Sequence, residues 1–136
     1  MKYTEKKILT KHNHWVVATK PEYISTASKF LVPDRIWVDT AHAIALYSEI
    51  PIVASMFFGL KLKDNSIKED HLKALILWLN TTWGLLTILS ERTETRGRWI
   101  ELTKTKWKLL PVIDVASLDP CTVDRLVKVF ENYADK

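Results

Sequence analysis

The stretch LKALILWLNTTWGLLTIL, residues 72–89, decides the fold of this chain. Its apolar side chains recur at three- and four-residue spacing, which is the period of one face of an α-helix. That face consists of Leu72, Leu75, Ile76, Leu79, Trp83 and Leu86. Trp78, Leu85 and Ile88 add apolar surface elsewhere on the helix, so we expect burial on more than one side. The pattern predicts one long central helix that forms the core of the domain.

A membrane span is the alternative interpretation of this run, because its length would suffice to cross a bilayer. However, Lys73, Asn80 and the neighbouring threonines would place polar groups at membrane depth, which is costly. Charged residues also flank both ends of the run. We therefore expect a buried helix and no membrane partner.

The first 60 residues favour strands, because β-branched and aromatic residues cluster there in short runs between turn formers. The candidate strands are Trp15–Thr19, Lys29–Val32, Arg35–Val38, Ala43–Tyr47 and Ile52–Leu60. Pro21, Pro33 and Pro51 fall between or at the edges of these runs, where a missing N–H does least harm to a sheet. This half is expected to form a small, bent sheet.

The C-terminal part begins with a charged stretch, Glu91 to Arg98, which predicts an exposed loop. Trp99–Leu102 alternates in the manner of a short strand. A last amphipathic helix is expected from Thr122 or Val123 to about Tyr133, with Pro120 just ahead of it. Together the elements predict an α+β fold in which a strand-rich N-terminal half packs on the central helix, as a single domain over 1–136.

The net charge of +4 is concentrated in one segment, from Arg92 to Lys108. That segment has six basic and two acidic residues, so the rest of the chain is neutral overall. A localised basic patch is typical of proteins that bind polyanions. The basic residues are Arg92, Arg96, Arg98, Lys104, Lys106 and Lys108.

The residue types in this segment suit nucleic acid. Arginine forks onto guanine edges or phosphates, lysine acts as a point charge for phosphate, and exposed Trp99 or Trp107 could stack on bases. The alternative is that the lysines are only the solvated face of an extended stretch, with Thr103, Thr105 and Trp107 pointing the other way. For both tryptophans the core is the stronger alternative, because a tryptophan in an apolar context is more often buried than exposed to a ligand.

Motifs that would indicate an enzyme are missing from the sequence. Its three glycines lie far apart, so neither a dinucleotide fingerprint nor a P-loop can be built. Cys121 is the only cysteine, which excludes an internal disulfide and leaves a cysteine-based zinc site without partners. We expect no catalytic residues, no metal and no cofactor, and a cytoplasmic location.

Two segments, LKALILWLNTTWGLL (residues 72–86) and ERTETRGRWIELTKTKWKLLPVIDV (residues 91–115), carry a family resemblance. They resemble the target-recognition region of adenine-specific DNA methyltransferases from restriction–modification systems of the type I and type IIG kind. That region commonly has a helix with a Leu-Asn-Ser/Thr-Ser/Thr signature, an Arg/Gly loop leading to an aromatic residue and a strand, and a Leu-Pro-Val segment. The matching residues are Leu79-Asn80-Thr81-Thr82, Arg96-Gly97-Arg98-Trp99 and Leu110-Pro111-Val112.

The resemblance implies a sequence-specific DNA-binding module whose partner is double-stranded DNA. The glycine-rich S-adenosylmethionine loop and the Asn/Asp-Pro-Pro-Tyr/Phe motif of those enzymes do not occur here, which implies recognition without catalysis, alongside a separate methyltransferase catalytic subunit or domain. The arginines, Trp99 and the lysines would contact DNA. Asn80, Thr81 and Gly97 would support the basic loop structurally.

Two other classes of function stay open. The six tryptophans favour a protein-interaction or structural accessory domain that docks on a larger nucleic-acid-processing subunit, since tryptophan is enriched in binding hot spots. An enzyme with an unfamiliar site is the third class. Binding that weakens steeply with salt would favour DNA over an apolar protein interface.

Overall fold

A computed structural model describes residues 26–37, 44–61, 67–91 and 99–134 of the chain. The predicted strand at Trp15–Thr19 therefore lies outside the described residues. The elements are β1 (Ser28–Pro33), β2 (Arg35–Trp37), β3 (Leu46–Ile52), β4 (Phe57–Leu60), α1 (Glu69–Leu79), α2 (Thr82–Ser90), β5 (Trp99–Glu101), α3 (Lys104–Leu109), a 3-10 turn (Val115–Ser117) and α4 (Pro120–Ala134). The predicted α+β class is confirmed.

The described strands form two antiparallel sheets rather than the single bent sheet that was expected. One has the order β3-β1-β4, and the other pairs β2 with β5. The chain passes from the first sheet to the second at Asp34, whose N–H donates to the Met56 carbonyl at 2.9 Å. The Asp34 carbonyl accepts from the Leu102 N–H at 2.7 Å. Asp34 thus bonds to the residue just before β4 and to the residue just after β5.

Pro51 lies inside β3, not between strands as its type suggested. The register explains why it is tolerated: Ser28 pairs with Ile52 and Phe30 with Tyr47, so the four residues 48–51 lie opposite Lys29 alone. Among the described strands β3 is at an edge of its sheet. A proline in an irregular edge segment removes no hydrogen bond from the sheet interior.

The predicted long central helix is wrong in one respect, because it is broken after Leu79. The two helices α1 and α2 meet at a bend of 76°. Thr81 caps α2: its hydroxyl accepts from the Gly84 N–H at 3.4 Å and donates to the Trp78 carbonyl at 2.6 Å. A threonine hydroxyl that satisfies the free N–H groups of a new helix start stabilises the break.

No single helix among the described residues is long and apolar enough to cross a membrane; α1 and α2 meet the length and composition criteria only as a bent pair.

The core lies where both sheets meet α1, α2 and α4. It contains Val32, Ile36, Ile76, Leu79, Ile88, Ile100, Leu102 and Phe130, among other buried side chains. Tyr47 connects the larger sheet to α4, since its ring lies 5.2 Å from that of Phe30 and 5.4 Å from that of Phe130. The predicted last helix is confirmed as α4. It begins at Pro120, because the Asp119 carboxylate accepts from the Thr122 N–H at 3.0 Å and acts as the cap.

Candidate nucleic-acid interface

The three lysines predicted to contact DNA lie on the short helix α3, not on an extended stretch. Thr103 begins this helix, since its hydroxyl accepts from the Lys106 N–H at 3.4 Å. In a helix, residues four apart lie on one face, whereas those two apart do not. Lys104 and Lys108 therefore share a face, and Lys106 lies on another.

Lys106 turns away from the other two lysines. Its Nζ donates to the carbonyl oxygen of Glu101 at 3.1 Å, at the end of β5. Its ammonium group is thus tied to the backbone of the smaller sheet. Of the predicted lysine contacts, the structure brings together Lys104 and Lys108 and separates Lys106 from them.

Lys104 and Lys108 border an open groove with a volume of about 690 Å³. The groove lies between α3 and the larger sheet, and its lining comes from β1, β4, the stretch 52–61 and α3. A third lysine, Lys61, follows β4 directly and also lines it. Among the described residues that line the groove there is no aspartate or glutamate. The charge of the groove is therefore positive.

Aromatic residues line the groove together with these lysines. Phe57, Phe58 and Trp107 are all half-buried, and the side chains of Phe57 and Phe58 point to opposite faces of β4. The Nζ of Lys104 lies 5.5 Å from the centre of the Phe58 ring, within range of a cation–π contact. Neither Lys104 nor Lys108 forms an ion pair within the part of the chain that the structure describes. Both ammonium groups are available to an anion.

Trp107 holds α3 against the sheet. Its indole Nε1–H donates to the carbonyl oxygen of Pro33 at 2.8 Å, and its ring packs against the core. The interpretation of Trp107 as a core residue is therefore supported, although one side of the ring lines the groove. Because Trp107 lies between Lys104 and Lys108 in sequence, it fixes the helix that carries them.

Trp99 lies at the far end of the smaller sheet, where it pairs with Trp37. The two rings meet edge to face at 4.6 Å, and Trp99 is 44% exposed. Residue 99 directly follows the predicted basic loop. Arg92, Arg96, Gly97 and Arg98 of that loop lie outside the described residues, so their contacts with DNA stay a prediction.

Asn80 makes three hydrogen bonds to the backbone that leads into β3. Its side-chain oxygen accepts from the N–H groups of Ile44 at 2.6 Å and Ala45 at 3.0 Å. Its amide nitrogen donates to the Ala45 carbonyl at 2.8 Å. The described bonds join the helix break to residues 44 and 45, and Thr81 caps α2. The expected support of the basic loop by Asn80 and Thr81 stays a prediction, since that loop lies outside the described residues.

Sequence reasoning missed the contribution of the larger sheet to the groove. Phe57, Phe58 and Lys61 were predicted only as part of a strand and its end. Some 45 residues separate them from α3 in the chain. The pattern of the strand itself contains no signal of the helix that packs beside it.

The described residues contain no cluster of three or more His, Cys, Asp or Glu side chains suited to a metal ion. Nor do they contain a buried side-chain nitrogen or oxygen without a hydrogen-bond partner. A comparison with protein-family models, one with curated proteins and one with solved structures each found no match to this chain.

Proposed function

We propose that this chain is a DNA-binding module that works beside a separate methyltransferase catalytic subunit or domain. The observation that carries the proposal is the pair Lys104 and Lys108, one helical turn apart and both lining a groove that has no carboxylate among its described residues. The sequence resemblance to target-recognition regions supports DNA as the polyanion. Arg92, Arg96 and Arg98 remain the proposed reading residues, with Lys104 and Lys108 binding phosphate.

Lysine suits the phosphate role, because its ammonium group is a compact point charge on a flexible stem. Such contacts fix a protein on the duplex without reading its sequence. Each neutralised phosphate releases condensed counterions. The logarithm of the association constant therefore falls with the logarithm of the salt concentration, with a slope of about 0.9 per contact. Removing both lysines should therefore reduce the size of this slope by about 2.

The test is binding of the full chain to a mixed-sequence duplex at salt concentrations from about 50 to 200 mM. The variant Lys104→Ala/Lys108→Ala is compared with Lys106→Ala/Lys128→Ala, which removes the same charge from outside the groove. Lys106 is held by the Glu101 carbonyl, and Lys128 is exposed on α4. We expect Lys104→Ala/Lys108→Ala to lower both the affinity for DNA and its salt dependence. Lys106→Ala/Lys128→Ala should keep most of both.

Equal losses in the two variants would mean that net charge matters and the groove does not. Absence of duplex binding by the wild-type chain at low salt would overturn the proposal. The arginines are tested separately with Arg96→Ala/Arg98→Ala, which should lower the preference for a preferred duplex over a mixed sequence.

A second function, docking on the catalytic subunit, is favoured by the exposed face of α2. Trp83 is 71% exposed and Leu86 is 50% exposed, three residues apart on the same helix. Large exposed apolar side chains grouped on a surface are typical of protein interfaces. Sedimentation of the chain with a purified catalytic subunit tests this. Trp83→Ser/Leu86→Ser should abolish a complex that persists at high salt.

A further inference from the structure

The groove has a feature that phosphate binding does not require, namely its apolar floor. The ammonium groups of Lys104 and Lys108 are sufficient to bind phosphate oxygens. Phe58 and Leu60 of β4 and Trp107 of α3 line the floor on the face of the strand that packs against the core, whereas Phe57 points to the opposite face of β4. Removing apolar surface from water is favourable. A ligand that covers these side chains with an apolar or aromatic face would therefore bind more tightly.

A base-paired duplex cannot provide that face. Its bases are stacked on one another, and it presents a wall of sugars and phosphates to a protein surface. The groove is also too small for a whole duplex: its volume of about 690 Å³ is that of a site for a small molecule. An unpaired nucleotide combines the two faces that the groove matches, since its base is aromatic and its phosphate is anionic.

We infer that the groove holds unpaired nucleotides of single-stranded or locally opened DNA. The bases lie against the rings of Phe58 and Trp107, and the phosphates lie near Lys104 and Lys108. Aromatic side chains interleaved with basic residues are the combination by which proteins bind single strands without strong sequence preference. This inference rests on the proposed function, because it assigns the same two lysines to DNA phosphates.

The rival occupant is an extended acidic peptide. β4 is an edge strand among the described strands, and a peptide could pair with its free side. The rings of Phe58 and Trp107, which line the groove from β4 and α3, favour the nucleotide instead, since every base offers a flat face for stacking whatever its sequence.

The test compares three probes on the full wild-type chain at one salt concentration. They are a short oligothymidylate, a strand of the same length with abasic sugars throughout, and a duplex. The first two carry the same phosphates and differ only in their bases. Stacking of even one base should make oligothymidylate bind about tenfold more tightly than the abasic strand.

Variants at Phe58 assign the effect to the aromatic part of the groove. Phe58→Leu keeps an apolar side chain but removes the ring, and should reduce the preference for oligothymidylate over the abasic strand to near unity. Phe58→Tyr keeps the ring and should keep that preference. Unchanged circular dichroism would show that each variant is folded.

The outcomes separate the two proposals. Equal affinity for oligothymidylate and the abasic strand, with duplex binding intact, would overturn this inference and leave the proposed function standing. Absence of binding to every probe would overturn both. A peptide of alternating Glu and Val that displaces oligothymidylate at lower concentration than unlabelled oligothymidylate does would assign the groove to an acidic peptide and overturn the inference.

Discussion

The helices α1 and α2 have similar apolar sequences but opposite relations to the core. In α1 the side chains of Leu72, Ala74, Ile76 and Leu79 are buried. In α2 only Gly84 and Ile88 are buried, whereas Trp83 and Leu86 are 71% and 50% exposed. On a continuous helix, Trp83 and Leu86 would lie on the same face as Leu79, four and seven residues further along.

The bend at Asn80 and Thr81 accounts for this difference. It turns the axis by 76°, so that the face which continues from Leu79 no longer meets the sheets. Apolar periodicity therefore reports which residues a helix could bury, but the direction of the helix axis decides which of them are buried. Four variants test how this division between the two helices is maintained.

The largest effect is expected when equivalent leucines are truncated on the two helices. Leu79 is 1% exposed within the core, so Leu79→Ala should lower the free energy of unfolding by about 2–5 kcal/mol. Leu86→Ala makes the same chemical change on an exposed face and should stay within about 0.5 kcal/mol. Urea unfolding of both variants measures the difference. Similar losses would mean that Leu86 is buried in solution, as the pattern of the sequence predicts.

The elements that were predicted well are those whose own side chains determine them. The period of Leu126, Val127 and Phe130 in α4 and the alternation around Trp99 in β5 are local signals, and both elements are confirmed. The break after Leu79 was missed because Asn-Thr-Thr is compatible with a helix that continues. At the break Asn80 bonds to Ile44 and Ala45, a contact between distant parts of the chain that the local sequence does not reveal.

The candidate site shows the same division between local and distant signals. The clustering of the lysines near residue 104 was visible in the sequence. Their alternation with Thr105 and Trp107 is the period of a strand, and it concealed a helix of only six residues. The groove depends on β4, which pairs with β1 far from α3 in the chain. The sequence therefore revealed the cluster of lysines but not the surface of β4 that lies beside it.

The second variant tests the close approach of α2 to the end of α1. A Cβ added at Gly84 would lie 2.5 Å from the Cα of Leu79, so a side chain there forces the two helices apart. Alanine usually stabilises a helix relative to glycine by about 1 kcal/mol. Here we expect Gly84→Ala to destabilise by roughly 2–3 kcal/mol, the cost of overpacking.

Thr82→Ala is the matched control for Gly84→Ala, since Thr82 is exposed in the same turn of α2. It should leave the midpoint of urea unfolding nearly unchanged. If Gly84→Ala raised that midpoint instead, the bend would be shallower in solution than the structure has it.

The third variant tests the hydrogen bonds that hold the bend to the larger sheet. Asn80→Ala removes three bonds at once and leaves the N–H groups of Ile44 and Ala45 without this partner. Because water can replace part of what is lost, we expect a loss of about 1–2 kcal/mol. Asn132→Ala, an exposed asparagine on α4, is the control. A loss no greater than that of the control would show that the asparagine amide does not maintain the break.

The smallest effect concerns an ion pair that ties α1 to α4. The Nζ of Lys73 lies 3.1 Å from the Glu131 carboxylate, and the Lys73 side chain is only 16% exposed. This hydrogen bond raises the pKa of Lys73 above its ordinary value, partly offset by burial. The stabilisation is therefore fully present below the unfolded-state pKa of about 10.4 and is lost as pH rises through the higher folded-state pKa.

Glu131→Gln should accordingly cost about 0.5 kcal/mol at pH 8, and the difference from wild type should shrink above pH 11. Asp124→Asn on α4 is the matched control, because it removes the same charge from a residue that forms no ion pair with any other described residue. Chemical unfolding at both pH values measures the two variants. Since α2 contains no charged side chain, a loss confined to Glu131→Gln would mean that α1 is anchored by charge as well as by burial. Equal losses in both variants would instead attribute the effect to the net charge of α4, and the difference between α1 and α2 would then rest on burial alone.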